Sequence, residues 1–211
     1  MASTMTQHQH QLSEEQADEL QTLTTSLKGS LRLFKDFPKP GIQFVDVLPI
    51  FASPVQHAGL IRALEIHLTA AFPPTLTPPY AGIDVVVGLE ARGFLSAPAL
   101  ALRLGAAFVP VRKPGKLPGE CFRVGYMKEY GEDFFEIQKD CAIHEGSRVV
   151  VVDDVIATGG SAAAAGQLVA LCGGTVVEFC FLLEAACLDG RSKLHSPAFA
   201  LLTEQALESK P

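Results

Sequence analysis

The chain has no asparagine, no C-x-x-C pair, no apolar run long enough to cross a membrane and no excess of positive charge. Each absence removes a class of protein. Without asparagine there is no N-glycosylation sequon. The five cysteines, Cys121, Cys141, Cys172, Cys180 and Cys187, are odd in number and do not fall at zinc-ribbon spacing. Neither a disulfide framework nor a structural zinc is indicated, and a reducing, intracellular compartment fits. The stretch LSAPALALRLGAAFVPV carries Arg103 in its middle, which rules it out as a membrane span. A net charge of -6 and a pI near 5.5 argue against a general nucleic-acid surface. The opening MASTMTQHQHQLSEEQ has neither the apolar core of a secretory leader nor the arginines of a transit peptide, so the expectation is a cytoplasmic protein. Also missing are G-x-x-x-x-G-K-[ST] and G-x-G-x-x-G after a strand, the fingerprints of P-loop and dinucleotide sites.

What is present describes a compact globular chain. It has 211 residues, 48% of them hydrophobic and 19% charged, which is compatible with one α/β domain or with a domain plus a small appendage. Residues 1–12 read as a polar tail, in which His8 and His10 are ordinary tail residues. SEEQADELQTLTTSLKG reads as a helix with Ser13 as N-cap, Gln16 closing a capping box and Gly29 as the stop. FKDFPKPGIQFVD reads as a Pro/Gly loop. ASPVQHAGLIRALEIHLTAAFPP is a second helix, with Ser53 as N-cap, Pro54 at its first position and Pro73 and Pro74 ending it. His57 and His67 lie on it without partners at metal spacing. After the connector PPTLTPPYAG, IDVVVGLEARGFLSAPALALRLG reads as a buried strand and a helix, and AAFVPVR as another strand. The charged segment KPGKLPGECFRVGYMKEYGEDFFEIQKD alternates with period two at Cys121 to Tyr126 and Asp133 to Ile137, and so reads as a protruding antiparallel hairpin or lid. SRVVVVDD, GGSAAAAGQLVALCGG and TVVEFCFLLEAA complete a strand, helix, strand order. That order predicts a parallel twisted sheet with helices on both faces.

The chemistry concentrates in VVVVDDVIATGGS. Ligands of parallel α/β sheets bind at the carboxyl ends of the strands, and Asp153 and Asp154 are expected at that edge. The turn that follows is small and polar: Ala157, Thr158, Gly159, Gly160 and Ser161. Such a turn can wrap backbone N–H groups around a phosphate, while the next helix adds its positive end. Adjacent carboxylates repel a phosphate unless they point at hydroxyl groups nearby, and a sugar phosphate offers that combination. Alone, the acidic pair reads equally well as a solvated turn; within the whole stretch it reads as a ribose site.

This stretch resembles the 5-phosphoribosyl-1-pyrophosphate motif of the type I phosphoribosyltransferases. FPKPGIQFVD (37–46), GLEARGF (88–94), VRKPGKLPG (111–119) and KEYGEDFFEIQKD (128–140) narrow the resemblance to the adenine phosphoribosyltransferases, over about residues 31–203. The resemblance implies transfer of phosphoribose to adenine, giving AMP and pyrophosphate, with Mg²⁺ held mainly through substrate oxygens. It implies that Glu90 and Ala91 form a pyrophosphate loop of unusual peptide geometry, with Arg92 pairing the pyrophosphate. Arg112, Lys113 and Lys116 would steer phosphate, near a homodimer interface. Glu129 would be the general acid or base, with Tyr130 beside it on the lid. Phe44 would stack on the purine and the Gln43 backbone would read its amino edge. The chain departs from the pattern at Val45, where many relatives carry a basic residue. The expected division is a tail and helix over 1–30, a transferase domain over 31–204 with a lid at about 113–138, and a tail over 205–211. No nucleic acid or membrane is expected as a partner. A sensor that keeps the sugar site and a transferase for another base are the alternatives.

Overall fold

The structure is a computed structural model that describes residues 12–41, 43–73, 82–128 and 131–208. The connector over 74–81, and Glu129 and Tyr130, lie outside the described residues. In chain order come α1 (Glu14–Ser30), β1 (Arg32–Lys35), β2 (Gln43–Asp46), α2 (Leu48–Phe51), α3 (Pro54–Ala71) and β3 (Val85–Leu89). They are followed by α4 (Ala97–Leu104), β4 (Ala107–Val111), β5 (Cys121–Lys128), β6 (Gly131–Gln138) and β7 (Arg148–Ile156). The chain continues through α5 (Gly160–Leu171), β8 (Thr175–Glu184), β9 (Ala198–Thr203) and α6 (Glu204–Glu208). A short 3-10 turn, Arg92–Leu95, joins β3 to α4.

Five strands form one parallel sheet in the order β4-β3-β7-β8-β9. The valine run explains why β7 sits at its centre. Alternate residues of a strand face opposite sides. Val150 and Val152 therefore join a core with α1, α2, α3 and α4, while Val149 and Val151 join a second core with α5 and the hairpin. Each fully buried valine contributes about 1.5–3 kcal/mol, so the run ties both faces of the molecule together.

The expected helix starts are present. Ser13 and Gln16 form the reciprocal capping box, and Ser53 caps α3 with Pro54 in its first turn. Gly29 does not stop α1, which runs on to Ser30 and is capped at Leu31; Leu27 anchors this last turn in the core. His57 Nε2 lies 2.8 Å from the Leu95 carbonyl, and His67 pairs with Glu178 at 2.9 Å while stacking on Phe199.

Three differences from the sequence reading bear on the site. First, FKDFPKPGIQFVD is not simply a loop. Its ends belong to β1 and β2, which pair antiparallel, Phe34 opposite Phe44 and Arg32 opposite Asp46, as a separate two-stranded hood. Second, β7 does not end at the acidic pair but continues to Ile156, because β8 pairs alongside it as far as Glu184. Third, β9 adds an edge strand that the sequence reading passed over.

The hairpin of β5 and β6 is antiparallel from Cys121 opposite Gln138 to Lys128 opposite Gly131. Tyr126, Phe135 and Ile137 are buried with Ala162, Ala165 and Leu168 of α5, so the hairpin lies along the helix that starts at the glycine turn.

Candidate active site

Asp153 and Asp154 sit in the second half of the central strand, Asp154 only 5% exposed. The 3-10 turn Arg92–Leu95 packs against them. Gly93 permits this contact, because a Cβ there would stand 2.6 Å from the Val152 carbonyl oxygen and 3.3 Å from Asp153 Oδ1. Asp153 Oδ1 accepts the Asp154 amide at 2.9 Å. Arg92 Nε stands 2.9 Å from Asp154 Oδ2, but no N–H is aligned on that oxygen, which is buried without a hydrogen bond. The pairing is therefore Coulombic, and an acceptor remains for a donor from outside the chain. Burial, and then the charge of Asp154, pushes the Asp153 carboxyl well above its ordinary range. Burial also raises Asp154, while Arg92 pulls it back down. The pair holds one negative charge readily and a second one only against repulsion.

Ala157, Thr158 and Gly159 form the bend after β7, and Gly160 and Ser161 open α5. Gly159 has φ 75° and lies against Gly190, whose carbonyl oxygen would be 2.1 Å from a Cβ. No side chain caps α5, so its first N–H groups point out of the turn. An uncapped helix start of this kind attracts an anion through the N–H groups and the helix dipole together. Gly160 is also where the hairpin touches the turn: a Cβ there would stand 3.1 Å from the Met127 carbonyl oxygen.

At the end of β3 the Glu90–Ala91 peptide is cis. The Glu90 carboxylate accepts hydrogen bonds from Lys116 Nζ at 2.8 Å, from the Lys113 amide at 3.0 Å and from two nitrogens of Arg112 at 3.3 Å each. Burial works to raise this carboxyl, but the bonds from Lys116, Lys113 and Arg112 outweigh it and hold it at about 2. Thus Arg112 and Lys116 converge beside the turn. Lys113 does not join them with its ammonium, which pairs with Asp133 and bonds the Tyr126 hydroxyl on the hairpin.

Beneath the hood is a cavity of about 370 Å³ lined by Phe34, Phe37, Phe44, Asp46, Leu48 and Arg92. Phe37 and Phe44 meet edge to face with centroids 5.1 Å apart. Asp46 is fixed there by Arg32, at 2.7 Å and 3.1 Å, and by the Leu48 amide at 3.0 Å. Hydrogen bonding outweighs burial and keeps its carboxyl below the ordinary range. Val45 points to the other face, where it is buried in the core, so it gives the cavity no side chain. The Gln43 side chain lies on that same far face, with Glu204 and Leu207. Sequence reasoning found Phe44 but missed Phe34, Phe37, Asp46 and Leu48. No signal in the sequence marked them, because Phe34 and Phe44 become neighbours only when β1 and β2 pair.

Arg92 joins the parts, because it lines the aromatic cavity and also reaches the acidic pair. The class that this arrangement fits is a protein with a site suited to a phosphorylated ribose at the carboxyl edge of a parallel sheet and to a flat aromatic ring beside it. Residues 80–197 match the model of the phosphoribosyl transferase domain family. The chain is 55% identical over 186 residues to the adenine phosphoribosyltransferase of Yarrowia lipolytica, covering 88% of this chain and 98% of that protein. It is 55% identical over 179 residues to adenine phosphoribosyltransferase 1 of Saccharomyces cerevisiae, covering 85% and 92%. A crystal structure of the Saccharomyces cerevisiae enzyme, complexed with an imino-altritol bisphosphate and adenine, matches with a TM-score of 0.81. That match is 53% identical and covers 86% of this chain and 99% of the other. The chain belongs to the type I phosphoribosyltransferase family, among its adenine phosphoribosyltransferases.

Proposed function

We infer that the chain transfers the 5-phosphoribosyl group from 5-phosphoribosyl-1-pyrophosphate to adenine, forming AMP and releasing pyrophosphate. The observation that carries this reading is the position of Arg92. It lines the aromatic cavity and stands 2.9 Å from Asp154, so a purine in the cavity would lie next to a ribose at the acidic pair. Phe34, Phe37 and Phe44 offer faces and edges for a purine ring. The backbone of Gln43 would read the amino edge of the base.

Asp153 and Asp154 accept hydrogen bonds from the two ribose hydroxyls, and the unfilled Asp154 Oδ2 is the acceptor most in need of one. A negative pair close to the sugar also favours the positive charge that develops on its anomeric carbon. Ala157 to Ser161 hold the 5-phosphate with the uncapped start of α5. Arg92, with the backbone of the Glu90–Ala91 turn and with Arg112 and Lys116, faces the pyrophosphate, while the Lys113 ammonium stays on the hairpin. Glu129, with Tyr130 beside it in the chain, would exchange the proton that adenine loses. Closure of the hairpin over α5 excludes water from the activated sugar.

The donor set fits magnesium. It would be held mainly through substrate oxygens, with Asp153 and Asp154 offering hard oxygens nearby. Magnesium suits one or two carboxylates together with phosphate oxygens and water. When bound, it neutralises charge on the pyrophosphate leaving group.

We assign the transferase domain to residues 31–204, with the lid at about 113–138 and the segments 1–30 and 205–211 as appendages. The protein works as a cytoplasmic homodimer. No helix among the described residues is long and apolar enough to cross a membrane, and all five cysteines are free, which accords with a reducing compartment. The test of the activity is a competition assay. Purified protein with donor and Mg²⁺ should convert adenine, and neither hypoxanthine nor guanine, to its nucleotide. No turnover of adenine would sink the reading.

A further inference from the structure

Glu90 is the least exposed member of a four-residue cluster. Its side chain is 13% exposed, against 33% for Arg112 and 50% for Lys116. Both cations are long and flexible, and their like charges would drive them apart in water. One carboxylate holds both, together with the Lys113 amide. Arg112 also donates to the Lys116 carbonyl at 3.0 Å, which closes the 112–116 loop on itself. The far side of the loop is fixed by a second buried carboxylate. Glu136 of β6 accepts the Gly115 amide at 2.9 Å, and its backbone pairs in both directions with that of Arg112. The same Glu136 binds Arg123 at 2.6 Å.

We infer that Glu90 is a positioning residue for the donor's pyrophosphate, acting through Arg112 and Lys116, which it gathers beside the Glu90–Ala91 turn before the donor arrives. The inference rests on the reading of this turn and loop as the pyrophosphate site. Two cations and one carboxylate leave a net charge of +1, so the cluster still attracts an anion. Its side chains are already ordered, and the entropy of ordering them is not charged against binding. Glu90 itself needs no contact with substrate. Its bonds to Arg112 and Lys116 are charge-assisted, the stronger kind of hydrogen bond, and all of them hang on one side chain.

The decisive variant is Glu90→Gln, which keeps the size and removes the charge. KM for the donor, and Kd for inorganic pyrophosphate measured by calorimetry on the full chain, should each rise about tenfold, with KM for adenine within about twofold. Glu90→Asp, which keeps the charge, should recover most of that loss. Tighter pyrophosphate binding in Glu90→Gln would make the carboxylate a competitor for the site and overturn the proposal. An equal rise in both KM values with a lower melting temperature would make it a scaffold residue and overturn it as well. The calorimetric arm needs no base. If the unmutated chain binds pyrophosphate but does not turn over adenine, the base assignment fails while Glu90 is still tested. Absence of pyrophosphate binding by the unmutated chain overturns both.

Discussion

Asp153 and Asp154 show how much a single residue type can reveal. Two adjacent acids after four valines are legible in the sequence because neither burial nor repulsion would be tolerated without a use. The structure adds that both carboxyls are raised by burial and that one oxygen, though close to Arg92, accepts no hydrogen bond. A carboxyl raised in the folded state favours its protonated form there. The pair therefore lowers stability at neutral pH, and this penalty is relieved as pH falls through the raised values, fully so below the ordinary 3.8. Asp153→Asn should then raise the melting temperature at pH 7 by about 2–4 °C and flatten this pH dependence. It should also cut turnover at least a hundredfold, as paired calorimetry and activity assays would show. Loss of stability at pH 7 would contradict the account. Residues such as Phe34 and Phe37 were not legible in the same way. They stand in a Pro/Gly-rich segment, and an aromatic ring there gains meaning only when another strand is placed opposite.

At the scale of elements, legibility followed local physics. The helices with caps, α1 and α3, were readable because Ser13, Gln16, Ser53 and Pro54 act within one turn of chain. The buried strands β3, β7 and β8 were readable from their apolar runs. The hood strands β1 and β2 were not: they are four residues each, and all four residues of β1 are exposed, so no alternation marks them. What sequence periodicity also cannot show is how closely two elements approach. The 3-10 turn Arg92–Leu95 meets β7 only because Gly93 has no side chain. Gly93→Ala should push that turn away from Val152 and carry Arg92 out of reach of both the cavity and Asp154. We expect donor and adenine KM values to rise together, with destabilisation of about 1–3 kcal/mol in urea unfolding, the usual cost of overpacking. Unchanged kinetics would mean that the turn has slack its geometry does not suggest.

At the scale of the molecule, an apolar face remains between α3 and α4. Val55 is 78% exposed and Leu102 84% exposed, and Pro54, Ala58, Ile61 and Ala99 lie in a cavity of about 670 Å³ that Leu102 also borders. Large apolar side chains grouped on a surface mark association sites more often than solitary ones do. If two copies of the chain associate through this face, Leu102→Glu should lower the mass seen in sedimentation to that of a folded monomer, while an unchanged mass would place any contact elsewhere. The same molecule carries a consequence in the order of its sheet. β3 is flanked by β4, which follows it closely in the chain, and by β7, whose Val149 pairs with Val85 across sixty-four residues. Until β7 has been synthesised, β3 therefore keeps one bare edge of Val85, Val86 and Val87, and an unpaired edge of that kind is sticky. The interval during which the ribosome makes the basic loop and the hairpin is the interval in which a nascent chain most needs shielding from its neighbours.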